Sequence, residues 1–215
     1  MEPVKEKLDK IRKPEHDVSW TQRILISAGI ALAGILVGVL QKGLDSTAVN
    51  DLPYILQRID LTNYFGRLAV WILIATVISV YAETPLRASL NTVLFLIGML
   101  AGYYPYSRFI LGFLPESYMM TWIIMAFASA VPAYICWYAK GEGPVSIVIS
   151  AGILGVLLAQ AFILTKGFYM THITEAVTLV LGVLVLYRKP KELIAAILLS
   201  VPVAFIYQLF IPYWG

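Results

Sequence analysis

Charged side chains are scarce in this sequence. Asp, Glu, Lys and Arg together make up 13% of its 215 residues, about half of the roughly 25% that is typical of soluble domains. Hydrophobic residues make up 60%, and the mean hydropathy is +0.79. This composition excludes an ordinary soluble domain and predicts a helical membrane protein.

Several chemical signatures are also missing. The single cysteine, Cys136, excludes an intrachain disulfide. The sequence contains no nucleotide-binding loop, no recognised catalytic motif and no metal-ligand spacing, so we expect no cofactor, no bound metal and no enzymatic activity. The net charge of +3 comes with no extended basic patch on a soluble region, which excludes nucleic acid as a partner.

Apolar segments of membrane-spanning length fill most of the chain. A hydrocarbon core about 30 Å thick takes about 20 helical residues. The sequence therefore predicts an all-α transmembrane bundle of about seven spans, with six as the alternative. The predicted spans are 24–42, 66–82, 88–112, 119–139, 145–165, 168–187 and 193–212.

The domain organisation follows from these spans. Residues 1–23 form a cytoplasmic amphipathic segment, and residues 24–215 form a single transmembrane domain. The first apolar run has no small-residue cleavage site after it, so we expect no cleaved signal peptide.

The distribution of Lys and Arg predicts the orientation. With the N-terminus in the cytoplasm, eleven of the sixteen basic residues lie on the cytoplasmic side, as the positive-inside rule requires. The C-terminus, Tyr213-Trp214-Gly215, then lies outside. We expect a multi-pass protein of the inner (plasma) membrane, with the lipid bilayer as a partner. An interfacial aromatic belt is predicted at the span ends, formed by Trp20, Trp122, Trp137 and Trp214.

Two amphipathic segments lie outside the spans. Residues 2–13 place Val4, Leu8 and Ile11 on one face, before Pro14. They form either a helix on the anionic inner leaflet or a solvated tail.

A second segment, 51–60, is predicted to be an interfacial helix at the outer face. Asp51 is its expected cap and Pro53 lies in its first turn.

Small residues four positions apart predict close helix contacts. The pairs are Gly34 with Gly38, Gly98 with Gly102, and Ala151 with Gly155. Contacts within one bundle are favoured, and homo-oligomerisation through one pair is the alternative. Pro132 and Pro202 lie inside predicted spans, where each either shapes a cavity or only bends its helix.

Polar and aromatic residues of several spans occur at one depth near the outer edge. Amide or charged groups at such a depth are costly unless they face protein or water. This pattern predicts an outward-facing polar pocket for an unknown small molecule. Its candidate ligand-binding residues are Glu175, His172, Gln160, Tyr103, Tyr104, Gln208 and Trp122.

Each of these residues also has a structural interpretation. If it is not functional, Glu175 is expected to pair with Lys166, Arg108 or Arg67, or to lie closer to the surface because the sixth span starts later. Gln160 and Gln208 then only join helices. His172 and Glu175 are too few to hold a metal, although they are the one acid and base available to an intramembrane enzyme.

The run Gly102-Tyr-Tyr-Pro-Tyr-Ser-Arg108 allows two interpretations. It forms either an aromatic box for a cationic or planar ligand or, as we favour, an interfacial belt in which Pro105 breaks the last helical turn.

Three segments resemble a family of small, uncharacterised bacterial membrane proteins. They are Thr84-Pro-Leu-Arg-Ala-Ser-Leu-Asn91, Gly102-Tyr-Tyr-Pro-Tyr-Ser107 and Trp137-Tyr-Ala-Lys-Gly141. The resemblance implies a bacterial cell membrane and no particular activity. The chain is also similar, more weakly, to the S components of energy-coupling factor transporters, since Ser27, Ala31 and Gly34 form a small-residue stripe on the first span. That similarity implies binding of a ligand from outside and docking of a partner subunit.

The leading functional prediction is a solute-binding or transport component. The alternative is a structural or regulatory membrane protein that docks a partner or anionic lipid at its cytoplasmic face, through 2–13 and the basic residues Arg188, Lys189 and Lys191.

Overall fold

The computed structural model describes residues 4–14, 18–114 and 116–211. Helices dominate this part of the chain, and a short antiparallel hairpin pairs β1 with β2. The elements are α1 (Val4–Ile11), α2 (Trp20–Asp45), α3 (Tyr54–Arg58), α4 (Leu61–Tyr64), α5 (Leu68–Val80), α6 (Pro85–Ile110), α7 (Glu116–Ala128), α8 (Ala130–Trp137), α9 (Gly143–Ala161), β1 (Phe162–Ile163), β2 (Tyr169–Met170), α10 (Ile173–Val185) and α11 (Pro190–Phe210). Single 3₁₀ turns cover Val49–Asp51 and Tyr138–Lys140.

Five helical segments among the described residues are long and apolar enough to cross a membrane. They are α2, α6, α9, α11 and the continuous run Glu116–Lys140, which contains α7 and α8. The shorter helices α5 and α10 are also apolar and have 13 residues each. The predicted all-α membrane class is confirmed. Each predicted span contains one of these helical segments, while the number that cross the bilayer stays a prediction.

The sixth predicted segment begins later than the sequence pattern suggests. We expected a helix from residue 168, but α10 begins at Ile173. The hairpin occupies the preceding residues and pairs Phe162 with Met170. This change places Glu175 in the first turn of its helix.

The predicted glycine pairs of α2 and α6 pack against each other. A methyl group added to Gly34 or Gly38 would meet the backbone of Phe95 or Met99, and one added to Gly98 or Gly102 would meet the backbone of α2. Helix backbones approach this closely only where side chains are absent. These two pairs therefore serve intramolecular packing, as the sequence favoured.

Helix α1 packs against the rest of the protein. Leu8 and Ile11 join a buried cluster that includes Trp137. The Arg12 guanidinium donates hydrogen bonds to the carbonyl oxygens of Val80 at 3.0 Å and Trp137 at 2.6 Å. The segment is thus attached to one end of the bundle, which we call the α1 end, and is not a solvated tail.

The aromatic belt is only partly as expected. Trp20 is 75% exposed, whereas Trp137 is fully buried. The Trp137 indole donates to the carbonyl oxygen of Ala82 at 2.7 Å, and the Arg12 guanidinium lies 4.2 Å from the ring centroid. An interfacial position for Trp137 was therefore wrong, because α1 covers it.

The segment between α2 and α5 is more broken than predicted. Asp51 lies in a 3₁₀ turn, and only Tyr54–Arg58 is α-helical, with Pro53 as its N-cap residue and no side-chain cap. Asp60 adopts a left-handed conformation with φ 55°, which separates α3 from α4. The capping role expected of Asp51 was wrong.

Some predictions concern residues outside the described ranges. The position of the C-terminal residues Tyr213-Trp214-Gly215, including the belt residue Trp214, is one of them. The first two residues of the predicted 2–13 helix are another.

The packing of α2 on α6 predicts opposite effects for two glycines of the same helix. Gly38→Ala should lower the midpoint of thermal unfolding in detergent, because its methyl group meets the Met99 backbone. Gly29→Ala is the matched control, since an added methyl there meets nothing within 4 Å. It should leave stability unchanged or raise it by up to about 1 kcal/mol through helix propensity. Equal midpoints for both variants would contradict this packing.

Candidate functional site

A buried charge cluster lies at the end of the bundle opposite α1. The Arg67 guanidinium pairs with Glu175, and both residues are almost fully buried. A second guanidinium nitrogen donates to the Thr174 hydroxyl at 2.9 Å, and a third donates to the Asp60 carboxylate at 2.6 Å. Arg67 precedes α5 and Glu175 lies in the first turn of α10, so the cluster ties these two short helices together.

Hydrogen bonding satisfies the charges of this cluster. Burial alone would raise the pKa of Asp60, but hydrogen bonds from Arg67 and Asn63 hold that pKa below its ordinary value. The contribution of Asp60 to stability is therefore fully present above the ordinary pKa of an aspartate and is lost as the pH falls from there through this lowered pKa. His172 occupies the N-cap position of α10 without a side-chain capping bond, and its Nδ1 lies 3.9 Å from the Glu175 carboxylate. No group of three or more His, Cys, Asp or Glu side chains suited to a metal occurs within the described residues.

The two predicted glutamines join different parts of the chain near the hairpin. The Gln208 amide accepts a hydrogen bond from Leu164 at 2.8 Å and donates to the carbonyl oxygens of Ala159 and Phe162. The amide nitrogen of Gln160 lies 3.4 Å from the Tyr207 hydroxyl. Gln208 therefore satisfies backbone groups that the end of α9 leaves open.

The seven predicted site residues do not line one pocket. Glu175 and His172 belong to the charge cluster, and Gln160 and Gln208 lie beside the hairpin. The other three, Tyr103, Tyr104 and Trp122, line a small cavity near the same end of the bundle.

A much larger cavity, which the sequence pattern did not indicate, lies between α5, α6, α7, α8 and α9. Its volume is about 490 Å³, and we call it the interhelical cavity. Most of its lining is apolar, with Trp71, Ile72, Met99, Trp122, Met125 and Ile153 among its walls. Along α5 it extends from Leu68 to Ser79, which is about 16 Å at the helical rise.

The junction between α7 and α8 borders this space. Ser129 separates the two helices, and Pro132 has no N–H to continue the hydrogen-bond ladder of the first turn. Helix α8 packs against α5, α6 and α9, while α7 has its main contacts with α6 and α8. Pro132 itself lines the cavity, so of the two predicted roles it has the one that shapes a cavity.

Gly152 on α9 widens the same space. It lines the interhelical cavity, and a methyl group added to it would meet nothing within 4 Å. Glycine in a helix interior costs up to about 1 kcal/mol relative to alanine, and no close helix contact requires it here. Its effect is to leave cavity volume open.

Three of the four hydroxyl side chains on the cavity wall, those of Ser79, Thr92 and Ser129, make hydrogen bonds within the protein, and Thr76 is the fourth. Ser79 donates to the carbonyl oxygen of Ala75 at 2.6 Å and lies 3.3 Å from the Thr92 hydroxyl. Ser129 donates to the carbonyl oxygen of Ala126 at 2.6 Å. Because these bonds stay within the helices or between them, the cavity presents an essentially apolar surface to its contents.

The small cavity adjoins the large one. Its volume is about 50 Å³, and both cavities are lined by Trp71, Met99, Leu100 and Trp122. Tyr103 and Tyr104 lie edge to face in its wall, with ring centroids 5.2 Å apart. The expected helix break at Pro105 was wrong, since α6 continues to Ile110, and this continuous helix holds the tyrosines in place.

These features define the class of the protein: it is a membrane-embedded α-helical protein with an apolar cavity between its helices. No family model, no curated protein and no solved structure matches the chain. The two resemblances noted from its motifs therefore stay predictions.

The charge cluster predicts that Glu175→Gln destabilises the protein. The change leaves the buried Arg67 with one carboxylate fewer, and removing one partner of such a pair typically costs about 3 kcal/mol or more. Glu83→Gln is the matched control, because its pair with Arg23 is partly exposed at 20% and 14% and should contribute about 1 kcal/mol or less. Thermal unfolding in detergent measures both. A smaller loss for Glu175→Gln than for Glu83→Gln would contradict the structural role of the pair.

Proposed function

We propose that this protein binds an apolar molecule from the bilayer in its interhelical cavity, as a solute-binding or transport component. The observation that carries the proposal is a cavity of about 490 Å³ whose walls are almost entirely apolar. Ligand pockets typically enclose about 300–1,000 Å³ and are lined mainly by hydrophobic and aromatic side chains. The volume and the lining both suit such a ligand.

This proposal replaces the polar pocket that the sequence predicted. Glu175 and Gln208 form internal hydrogen bonds to other parts of the chain, which supports a structural role for them. A polar solute would find few hydrogen-bonding groups on this wall, which is mainly apolar. An apolar ligand gives up no hydrogen bonds when it passes from the lipid tails, which are themselves apolar, into the cavity.

We further propose seven spans with α1 in the cytoplasm of the inner membrane. The concentration of basic residues at the α1 end supports this orientation. Each of the two short helices rises only about 20 Å, less than the hydrocarbon thickness. Helix α5 packs against α6, α8, α9 and α10, so its length need not match the surrounding lipid.

A non-enzymatic role fits the chemistry of the cavity. Ser79 and Ser129 direct their hydroxyls to helix carbonyl oxygens and have no adjacent base among the residues lining the cavity. His172 and Glu175, the expected acid and base, lie in the charge cluster. Nucleophilic catalysis needs a nucleophile and a base within hydrogen-bond reach.

Filling the cavity tests the proposal directly. Gly152→Phe places a ring in the open space beside α9, whereas Gly29→Phe places the same ring on the exposed face of α2. We expect native mass spectra of protein released gently from its membranes to show an apolar adduct on the wild type and on Gly29→Phe. Gly152→Phe should have lost it.

Two outcomes would overturn the proposal: wild-type protein without any adduct, or an equal adduct on all three proteins. Thermal unfolding of Gly152→Phe serves as the folding control. Gly152→Leu is the smaller substitution to use if the phenylalanine variant does not fold, and it should reduce the adduct in the same direction.

A further inference from the structure

The interhelical cavity is only partly enclosed. Helix α7 packs against α6 and α8, and it has few contacts with α5 or α9. Helix α8 packs against α5, α6 and α9, so it closes the half of the cavity nearer the α1 end. In the other half, α7 and α9 both contribute to the wall but scarcely touch. The cavity therefore opens sideways between these two helices, and we call this gap the lateral opening.

The exposure of the lining residues agrees with this position. Met125, Ala128 and Pro132 line the cavity and are exposed, and their spacing of three and four places them along one edge of the continuous α7–α8 run. On α9, Gly152 and Val156 line the cavity and are half-buried. These residues form the two sides of the lateral opening.

The lateral opening lies at a depth far from water. No Asp, Glu, Lys or Arg occurs between Glu116 and Lys140 or within α9. Gly152 is the middle residue of α9, about 14 Å from either end of that helix, and Ser129 is near the middle of the α7–α8 run. The large side chains exposed on the same two segments are apolar, and they include Ile124, Phe127 and Val148. The opening therefore faces the hydrocarbon layer, between its centre and the interface opposite the α1 end.

The driving force for binding from lipid differs from that for binding from water. Lipid tails are as apolar as the cavity wall, so a molecule that leaves them gains no hydrophobic energy. The gain lies in van der Waals contact, because an unfilled space leaves its lining atoms without partners. A free molecule offsets this gain by losing translational freedom. An acyl chain of an adjacent lipid loses much less, because its headgroup already holds it at the interface beside the protein.

We infer that the interhelical cavity takes one acyl chain of a membrane phospholipid, which enters through the lateral opening. The headgroup stays at the interface opposite the α1 end, so the cavity wall needs no polar group to recognise it. This inference rests on the proposed function, because the part of the lipid that enters the cavity is apolar. It adds the source of the ligand and the route by which it enters.

A phospholipid with a diazirine midway along one acyl chain tests the inference in protein reconstituted into lipid nanodiscs. On irradiation the probe inserts into the side chains that it touches, and peptide mass spectrometry locates the insertion. Trp71, Met99 and Ile153 line the cavity and are buried, so a chain outside the protein does not reach them. We expect labelling of these three wall residues in the wild type and its loss in Gly152→Phe. A diazirine alkane serves as the probe without a headgroup.

Ala128→Trp tests the route, because Ala128 is exposed at the edge of the lateral opening. The added indole narrows the opening and should lower wall labelling by the phospholipid about tenfold. Ala33→Trp is the matched control, since Ala33 is exposed on α2 and lines neither described cavity. It should keep the wild-type labelling. Ala128→Leu is the smaller substitution to use if the tryptophan variant does not fold, and it should lower labelling in the same direction.

Each result has a distinct meaning. Wall labelling by the phospholipid that Ala128→Trp leaves unchanged overturns the lateral route. Wall labelling by the alkane alone, lost in Gly152→Phe, overturns the acyl-chain assignment and leaves the proposed function standing. The absence of wall labelling by either probe, or labelling that Gly152→Phe does not change, overturns the proposed function itself.

Discussion

The pairing of Arg67 with Glu175 positions the two helices that are too short to span a bilayer unaided. Neither charge is tolerable in apolar surroundings without the other, so the start of α5 must lie beside the start of α10. Helix α5 then forms one wall of the interhelical cavity along most of its length. The cavity thus depends on an ion pair that does not touch it. Because the ion pair positions α5, a substitution of Glu175 is expected to disturb a wall of the cavity. A loss of ligand binding in such a variant would therefore not show that Glu175 contacts the ligand.

Glycine has two opposite uses in this bundle. Between α2 and α6, Gly34, Gly38, Gly98 and Gly102 bring two backbones into contact and leave no room for a methyl group. On α9, Gly152 faces open space, and its missing side chain becomes cavity volume. Tight packing on one side of α6 and loose packing on the other therefore arise from the same residue type. Ser129 and Pro132, at the junction of α7 and α8, line the same cavity.

Hydrogen bonds give several polar side chains near the cavities a structural role. Gln208 uses both its oxygen and its nitrogen on backbone groups near the hairpin, and the serines along the cavity are bonded to helix carbonyl oxygens. The amide nitrogen of Gln41 donates to the Phe65 carbonyl oxygen. These side chains therefore join parts of the chain that are distant in sequence, and the wall of the interhelical cavity is left mainly apolar.

The sequence by itself determined the membrane class, the positions of the apolar helices and the close pairing of small residues, because composition and spacing are local properties of the chain. It also named Arg67 as one possible partner of Glu175. It could not predict which of three cations pairs with Glu175, and the structure shows that the partner is Arg67. It also could not predict that α1 covers Trp137, or that Tyr103 and Trp122 lie apart from Gln160. These outcomes depend on how helices distant in the chain are arranged. Only the tertiary structure decided the interhelical cavity. Its walls come from five helices that are distant from one another in the chain, so no local pattern of residues marks the space between them.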